Sequence, residues 1–226
     1  MRDEAYVTPV TLEQKTRGWL DQIRRSVAPR DHLRPRPPAC ALLIIDMLEY
    51  FAAPSGRCYL AASAAIGPRI RALLDHWRRA GWPVVFTQHG HRGAGDLGML
   101  GKFFSDYIRA GEREARVIGE LTPLATEIVI PKTTYDAFLN TDLEAALRAR
   151  NVEQVLVTGV LTHMCCETSA RSAFCRGFEV FLAADATATT TEQRHLQSLL
   201  GLAESVAIVL SSAEVLAQCP TPTSSS

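Results

Sequence analysis

Two adjacent cysteines, Cys165 and Cys166, stand where the apolar run Val155-Leu156-Val157-Thr158-Gly159-Val160 gives way to a helical pattern. The first turn of a helix presents unpaired N–H groups and the positive end of the helix dipole, which lower a thiol pKa and stabilise nearby negative charge. A thiol at that junction is therefore a candidate nucleophile. At about 100° per residue, Cys166, Ala170, Ala173, Phe174 and Gly177 share one small and apolar face that should press on a sheet. Cys166 thus belongs to the core. Cys165 lies off that stripe, beside Ser169 and Ser172, and is the expected reactive thiol.

Two other chemically capable residues follow apolar runs of the same kind. Asp46 ends Leu42-Leu43-Ile44-Ile45, and Lys132 follows Val129-Ile130-Pro131. A lone Asp at a strand end is usually a cap and a lone Lys is usually solvated; a carboxylate, an ammonium and a thiol at three strand ends have a joint use. Thiolate attack on a carbonyl needs a proton acceptor, and an Asp46 kept ionised by Lys132 can take the proton from Cys165.

The elements that must position these groups alternate. Strand patterns lie near Ala41–Met47, Pro83–Gln88, Glu127–Pro131, Gln154–Val160, Glu179–Ala184 and Val206–Leu210. Helical patterns lie near Ala64–Ala80, Leu97–Ala110, Asp142–Arg150, Met164–Arg176 and Glu192–Ala203. Near-continuous Val/Ile/Leu strands in β-α alternation imply an α/β fold whose parallel sheet is covered on both faces. The expected architecture is three-layer α/β/α around a six-stranded parallel sheet of Rossmann-like order 3-2-1-4-5-6. In such a sheet the ligand site lies outside the carboxyl ends of the strands, where Asp46, Lys132 and Cys165 all fall. Residues 1–38 read as an N-terminal helical arm with a Pro-rich linker, 39–218 as the catalytic domain and 219–226 as a mobile tail. The arm carries Leu12, Trp19, Leu20, Ile23 and Val27 on one face, too much apolar surface for a free helix, so it should pack on the domain or across a subunit interface.

Composition narrows the function. The 226 residues are 47% hydrophobic, enough for one substantial core, and 24 Lys plus Arg balance 24 Asp plus Glu. That balance carries no footprint of a nucleic-acid or membrane-surface partner. The six cysteines have no compact spacing and do not read as a disulfide framework, and the first residues lack the apolar core of a signal peptide, so a cytoplasmic protein is expected. Gly93-Ala94-Gly95-Asp96-Leu97-Gly98 fits the dinucleotide-binding spacing. It follows the second strand instead of the first, and no strand ending in Asp or Glu appears about twenty residues on. Glycines of a loop are the simpler reading, and no cofactor is expected.

Three separated stretches resemble the isochorismatase-like cysteine hydrolases, which include nicotinamidases, N-carbamoylsarcosine amidohydrolases and isochorismatases. They are Leu42–Met47, Val129–Phe138 and Gly159–Arg171, followed by Ala184-Asp185-Ala186-Thr187 and His195-Leu196. The resemblance implies a catalytic triad of Asp46, Lys132 and Cys165, an oxyanion hole from the backbone N–H groups of Leu161 and Cys165, and a cis peptide before Leu161. It implies a hydrolase that cleaves an amide or ureido-type C–N bond of a small molecule through a Cys thioester, and a homo-oligomer, dimer or tetramer. Phe51, His89, Tyr135, Leu161 and His163 are the expected pocket residues. Nicotinamidase-like members hold a metal through an Asp and two His near the end of the second strand; here His89 stands at the Asp position, so no metal is expected. Isochorismatase-type vinyl-ether cleavage is the alternative, disfavoured because that reaction forms no covalent intermediate and its enzymes usually lack a cysteine matching Cys165. From other classes, a dinucleotide-dependent oxidoreductase or a non-catalytic binding protein on the same scaffold would serve.

Overall fold

The computed structural model describes residues 5–221. Strands β1 (Cys40–Ile45), β2 (Val84–His89), β3 (Ile128–Lys132), β4 (Gln154–Val160), β5 (Glu179–Ala188) and β6 (Ala207–Leu210) form one sheet. Its order is β3-β2-β1-β4-β5-β6, with every pairing parallel, as the α/β alternation predicts. The central β1 and β4 are buried at every residue, which is why they read as unbroken apolar runs. Pro131 sits in β3, an edge strand, where its missing N–H costs no ladder bond on the open side.

Helices cover both faces. The long α3 (Ser63–Ala80) packs on β1, β4 and β5 together with α8 (Ser212–Gln218). The other layer joins α6 (Glu167–Cys175), α7 (Glu192–Ser205) and the arm helix α1 (Leu12–Ser26). Short helices α2 (Glu49–Ala52), α4 (Leu100–Phe103) and α5 (Leu143–Arg148) complete the chain.

The arm packs on its own domain. Trp19, Leu20 and Ile23 are buried against α7 and β5, and the Trp19 indole N–H donates to Glu192 Oε1 at 2.9 Å. Its ring lies 4.5 Å from the His195 imidazole, edge to face. Beyond the helix, Arg30 donates to the carbonyls of Ala203 and Glu204 at the end of α7. Since the apolar face is covered within one chain, it provides no argument for a subunit interface.

Four expectations on local structure change. The helix over Leu97–Ala110 shrinks to Leu100–Phe103, because residues 108–110 are pinned beside His91: its N–H donates to Ile108 O at 2.8 Å and its carbonyl accepts from Ala110 N at 2.9 Å. The helix expected from Met164 opens with a π-helical turn, Thr162–Cys166. Phe174 is 50% exposed instead of lying on the core stripe. The buried arc of α6 is rotated toward Ser169, whose hydroxyl is engaged by the loop at 135–137, and this rotation carries Phe174 outward. At the other end Cys219 is buried and its N–H donates to Val215 O, so the packed part continues past residue 218. The last five residues of the expected tail, 222–226, lie outside the described residues.

Candidate active site

At the end of β1 the chain turns sharply: Asp46 has φ 47°, a left-handed conformation that Asp tolerates better than most side chains. Its carboxylate is fully buried. Thr87 of β2 holds it from one side, accepting from Asp46 N–H at 3.0 Å and donating to Oδ1 at 2.6 Å. Lys132, the last residue of β3, holds it from the other, with Nζ 2.7 Å from Oδ2. Oδ2 is held by this short ion contact, and an ionised carboxylate oxygen keeps a further lone pair that can take a proton. The ammonium aims its N–H groups at the Thr134 carbonyl at 2.8 Å, at Cys165 Sγ at 3.3 Å and toward His89 Nδ1 at 3.4 Å. The three residues expected at strand ends therefore meet.

The thiol arrives by way of β4. Gly159 has φ 105°, and a Cβ there would lie 2.0 Å from the Ile45 carbonyl oxygen, so only glycine lets β4 pass this close to the end of β1. The Val160–Leu161 peptide is cis. The π-helical turn follows, and its first residue, Thr162, is anchored by a 2.9 Å contact to the Nδ1 of buried His195. The N–H of Leu161 has no acceptor among the described residues. Cys166 is wholly buried, whereas Cys165 is 5% exposed and reaches a cavity.

Burial and charge act on each group in turn. Burial pushes the Cys165 thiol up to about 12, against the lowering by Lys132 and with the help of Asp46. This corrects the expectation of a thiol acidified at a helix start: loss of solvent outweighs the dipole, so the resting group is a neutral S–H. Burial opposes the charges of Asp46 and Lys132 as well. Their mutual attraction overcomes it, holding the carboxyl below and the ammonium above its ordinary range. Burial, then the Lys132 charge, lowers His89 to about 4, so its imidazole is neutral at pH 7. With Nδ1 accepting from Lys132, its Nε2–H faces His91 Nε2 at 3.1 Å, and His91 Nδ1 in turn meets the Asp96 carbonyl at 3.1 Å. The two imidazoles thus satisfy each other, and no group of three or more His, Cys, Asp or Glu among the described residues is placed to hold a metal.

The cavity above Cys165 has a volume of about 670 Å³. Phe51, His89, Tyr135 and Leu161 line it as expected. His163 does not: its Nδ1 turns to Thr189 Oγ1, and Met164 takes its place in the wall. The remaining motif residues are structural. Asp185 receives the N–H and the hydroxyl of Ser212, capping α8. Sequence reasoning missed Thr87, hidden as an ordinary strand threonine, and Ser169, which braces the loop bearing Tyr135. It missed also Arg57 at the cavity rim, which donates to Asp106, Glu114 and the Tyr107 carbonyl; only the coming together of loops distant in sequence makes that cluster.

Residues 40–214 match the model of the isochorismatase domain. The chain belongs to the isochorismatase family. Nicotinamidase 3 of Arabidopsis thaliana is 38% identical over 172 residues, 75% of this chain and 83% of that protein. Enterobactin synthase component B of Escherichia coli is 32% identical over 189 residues, 83% of this chain and 66% of that protein. The crystal structure of a cysteine hydrolase from Pseudomonas syringae superposes with a TM-score of 0.80 at 29% identity, covering 84% of this chain and 97% of the other. This isochorismatase-family chain is therefore a hydrolase on the parallel-sheet scaffold of its relatives. No helix among its described residues is long and apolar enough to cross a membrane.

Proposed function

We propose that the chain is a cysteine hydrolase that cleaves the C–N bond of a small amide or ureido compound through a thioester on Cys165. The observation that carries this reading is the buried contact of Cys165 Sγ with Lys132 Nζ, itself paired with the Asp46 carboxylate, at the floor of a cavity. Sulfur attacks the substrate carbonyl as its proton passes to Asp46 Oδ2. Because the thiol rests neutral, transfer belongs to the attack itself and not to a standing thiolate. The carbonyl oxygen gains negative charge beside the N–H groups of Leu161 and Cys165, and Asp46 returns the proton to the departing nitrogen. A water then gives a proton to Asp46, its oxygen attacks the thioester, and sulfur leaves and recovers the proton. Lys132 stays protonated throughout, keeping Asp46 ionised between proton transfers and fixing Sγ.

A nicotinamidase among the relatives supports C–N chemistry, and the thiol in place weighs against vinyl-ether cleavage, which needs no nucleophile. The free cysteines support a reducing compartment, the cytoplasm. The partner is a small molecule; assembly into a dimer or tetramer rests on the family resemblance and is read by light scattering. Intact mass after acid quench during turnover of an amide panel tests the mechanism: an acyl adduct is expected on the wild-type chain and absent from Cys165→Ala. Undiminished turnover of isochorismate by Cys165→Ala would replace this reading with the vinyl-ether one. A folded protein with neither adduct nor turnover would favour a binding protein.

A further inference from the structure

The charge pattern of the cavity bears on what the hydrolase accepts. Apart from the triad at its floor, its lining holds two residues with formal charges, Arg57 and Asp106, and these neutralise each other: Arg57 Nη1 donates to Asp106 Oδ1 at 2.6 Å. Arg57 is engaged further, with Nε on Glu114 and Nη2 on the Tyr107 carbonyl, so the three side chains sum to one negative charge. The second Asp106 oxygen accepts from the Tyr50 hydroxyl at 3.1 Å. Lys132 lies behind Cys165 with its charge matched by Asp46. His89 is neutral, and its Nε2 lies 3.1 Å from His91 Nε2, so the two rings engage each other. A carboxylate entering this cavity would lose its hydration with no uncommitted cation in the lining to meet it.

Most of the remaining wall is apolar or aromatic, with Thr190 and Cys58 as its small polar members. Leu97, Leu100 and Phe104 form one side around α4, and Phe51, Tyr107 and Ile108 contribute to the others. A volume of about 670 Å³ is that of sites that bury a molecule well beyond a single ring.

We infer that the substrate is an uncharged carboxamide whose acyl part is an apolar or aromatic group larger than one ring, and that carboxylate-bearing amides and ureido acids are excluded. This rests on the proposed amide chemistry at Cys165. The overall reaction is R–CONH₂ + H₂O → R–COO⁻ + NH₄⁺: the C–N bond breaks, the water oxygen joins the acyl carbon, and the product acquires the charge the cavity rejects. Product release is thereby favoured.

Naphthalene carboxamide, benzamide and a naphthalene carboxamide bearing a ring carboxylate provide the test, with ammonia release and calorimetric binding measured on the wild-type protein. The second ring is expected to raise kcat/KM at least about tenfold over benzamide, and the carboxylate to lower it about a hundredfold or more. Asp106→Asn, which removes one of the charges that neutralise Arg57, should narrow the penalty on the carboxylate about tenfold. A carboxylate compound as good as its neutral parent, or benzamide as good as the naphthalene amide, overturns the inference. If no compound is hydrolysed, binding separates the two claims. Preferential binding of the neutral two-ring amide sustains the inference on the cavity while amide hydrolysis falls; binding of none of the three overturns it.

Discussion

Replacing Lys132 by Met keeps the length of the side chain and removes the ammonium 2.7 Å from Asp46 Oδ2. Both side chains of this pair are fully buried, so the remaining carboxylate would be an uncompensated charge; losing one partner of a buried pair costs about 3–5 kcal/mol. Asp46 relieves part of that cost by taking up a proton. Burial, the largest influence on this group, raises its pKa, and the Lys132 charge that reverses the effect is gone. The sign of the pH dependence follows. In the wild type the folded carboxyl lies below its unfolded value, so its contribution to stability is present above that value, about 3.9, and is lost as pH falls. In the variant the folded carboxyl lies above the unfolded value. Its stability is greatest below about pH 4 and declines as pH rises, by up to about 1.4 kcal/mol per unit, until the folded group ionises. Urea unfolding at several pH values between about 5 and 8 measures this slope. The double variant Lys132→Met/Asp46→Asn is the control, since with no ionisable group at position 46 the extra slope should vanish. A Lys132→Met protein whose stability runs parallel to the double variant across that range would refute the buried-pair argument.

Turnover in Cys165→Ala should fall below detection with stability nearly unchanged, while Cys166→Ala should keep activity and lose about 1 kcal/mol in urea unfolding, because only Cys166 is wholly buried. Gly159→Ala should cost more than about 3 kcal/mol or prevent folding, since its Cβ would fall 2.0 Å from Ile45 O; soluble protein with an unchanged Tm would contradict the close approach of β4 to β1. Trp19→Ala should destabilise by about 3–5 kcal/mol, read by urea unfolding.

The strands were legible because a sheet covered on both faces demands apolar runs, and the chemical residues were legible because each stands at or just beyond the end of such a run. Asp46 and Lys132 are charged where the backbone leaves the core, and Cys165 lies in the helical turn that follows a third such run. What failed depends on contacts between distant segments. Residues 97–110 have helical spacing, yet hydrogen bonds from His91 take 108–110 into an extended path. The direction of His163 is set by Thr189, and that of Phe174 by the burial of Ser169. The neutral resting thiol is likewise a tertiary effect: position at a helix start is visible in sequence, whereas the depth of burial that outweighs it is not.

The arm reaches the chemistry through two contacts. Trp19 packs on His195, and His195 holds Thr162, three residues ahead of Cys165. Residues 40–214, the stretch that matches the domain model, begin after Trp19 and stop before the buried Cys219. The matched domain therefore leaves out contacts on which the nucleophile turn rests. A chain trimmed to the shared stretch would leave His195 without its aromatic cover and the nucleophile turn on a loosened support. A chimera that borrowed residues 159–171 from a relative would have to import a matching arm along with them.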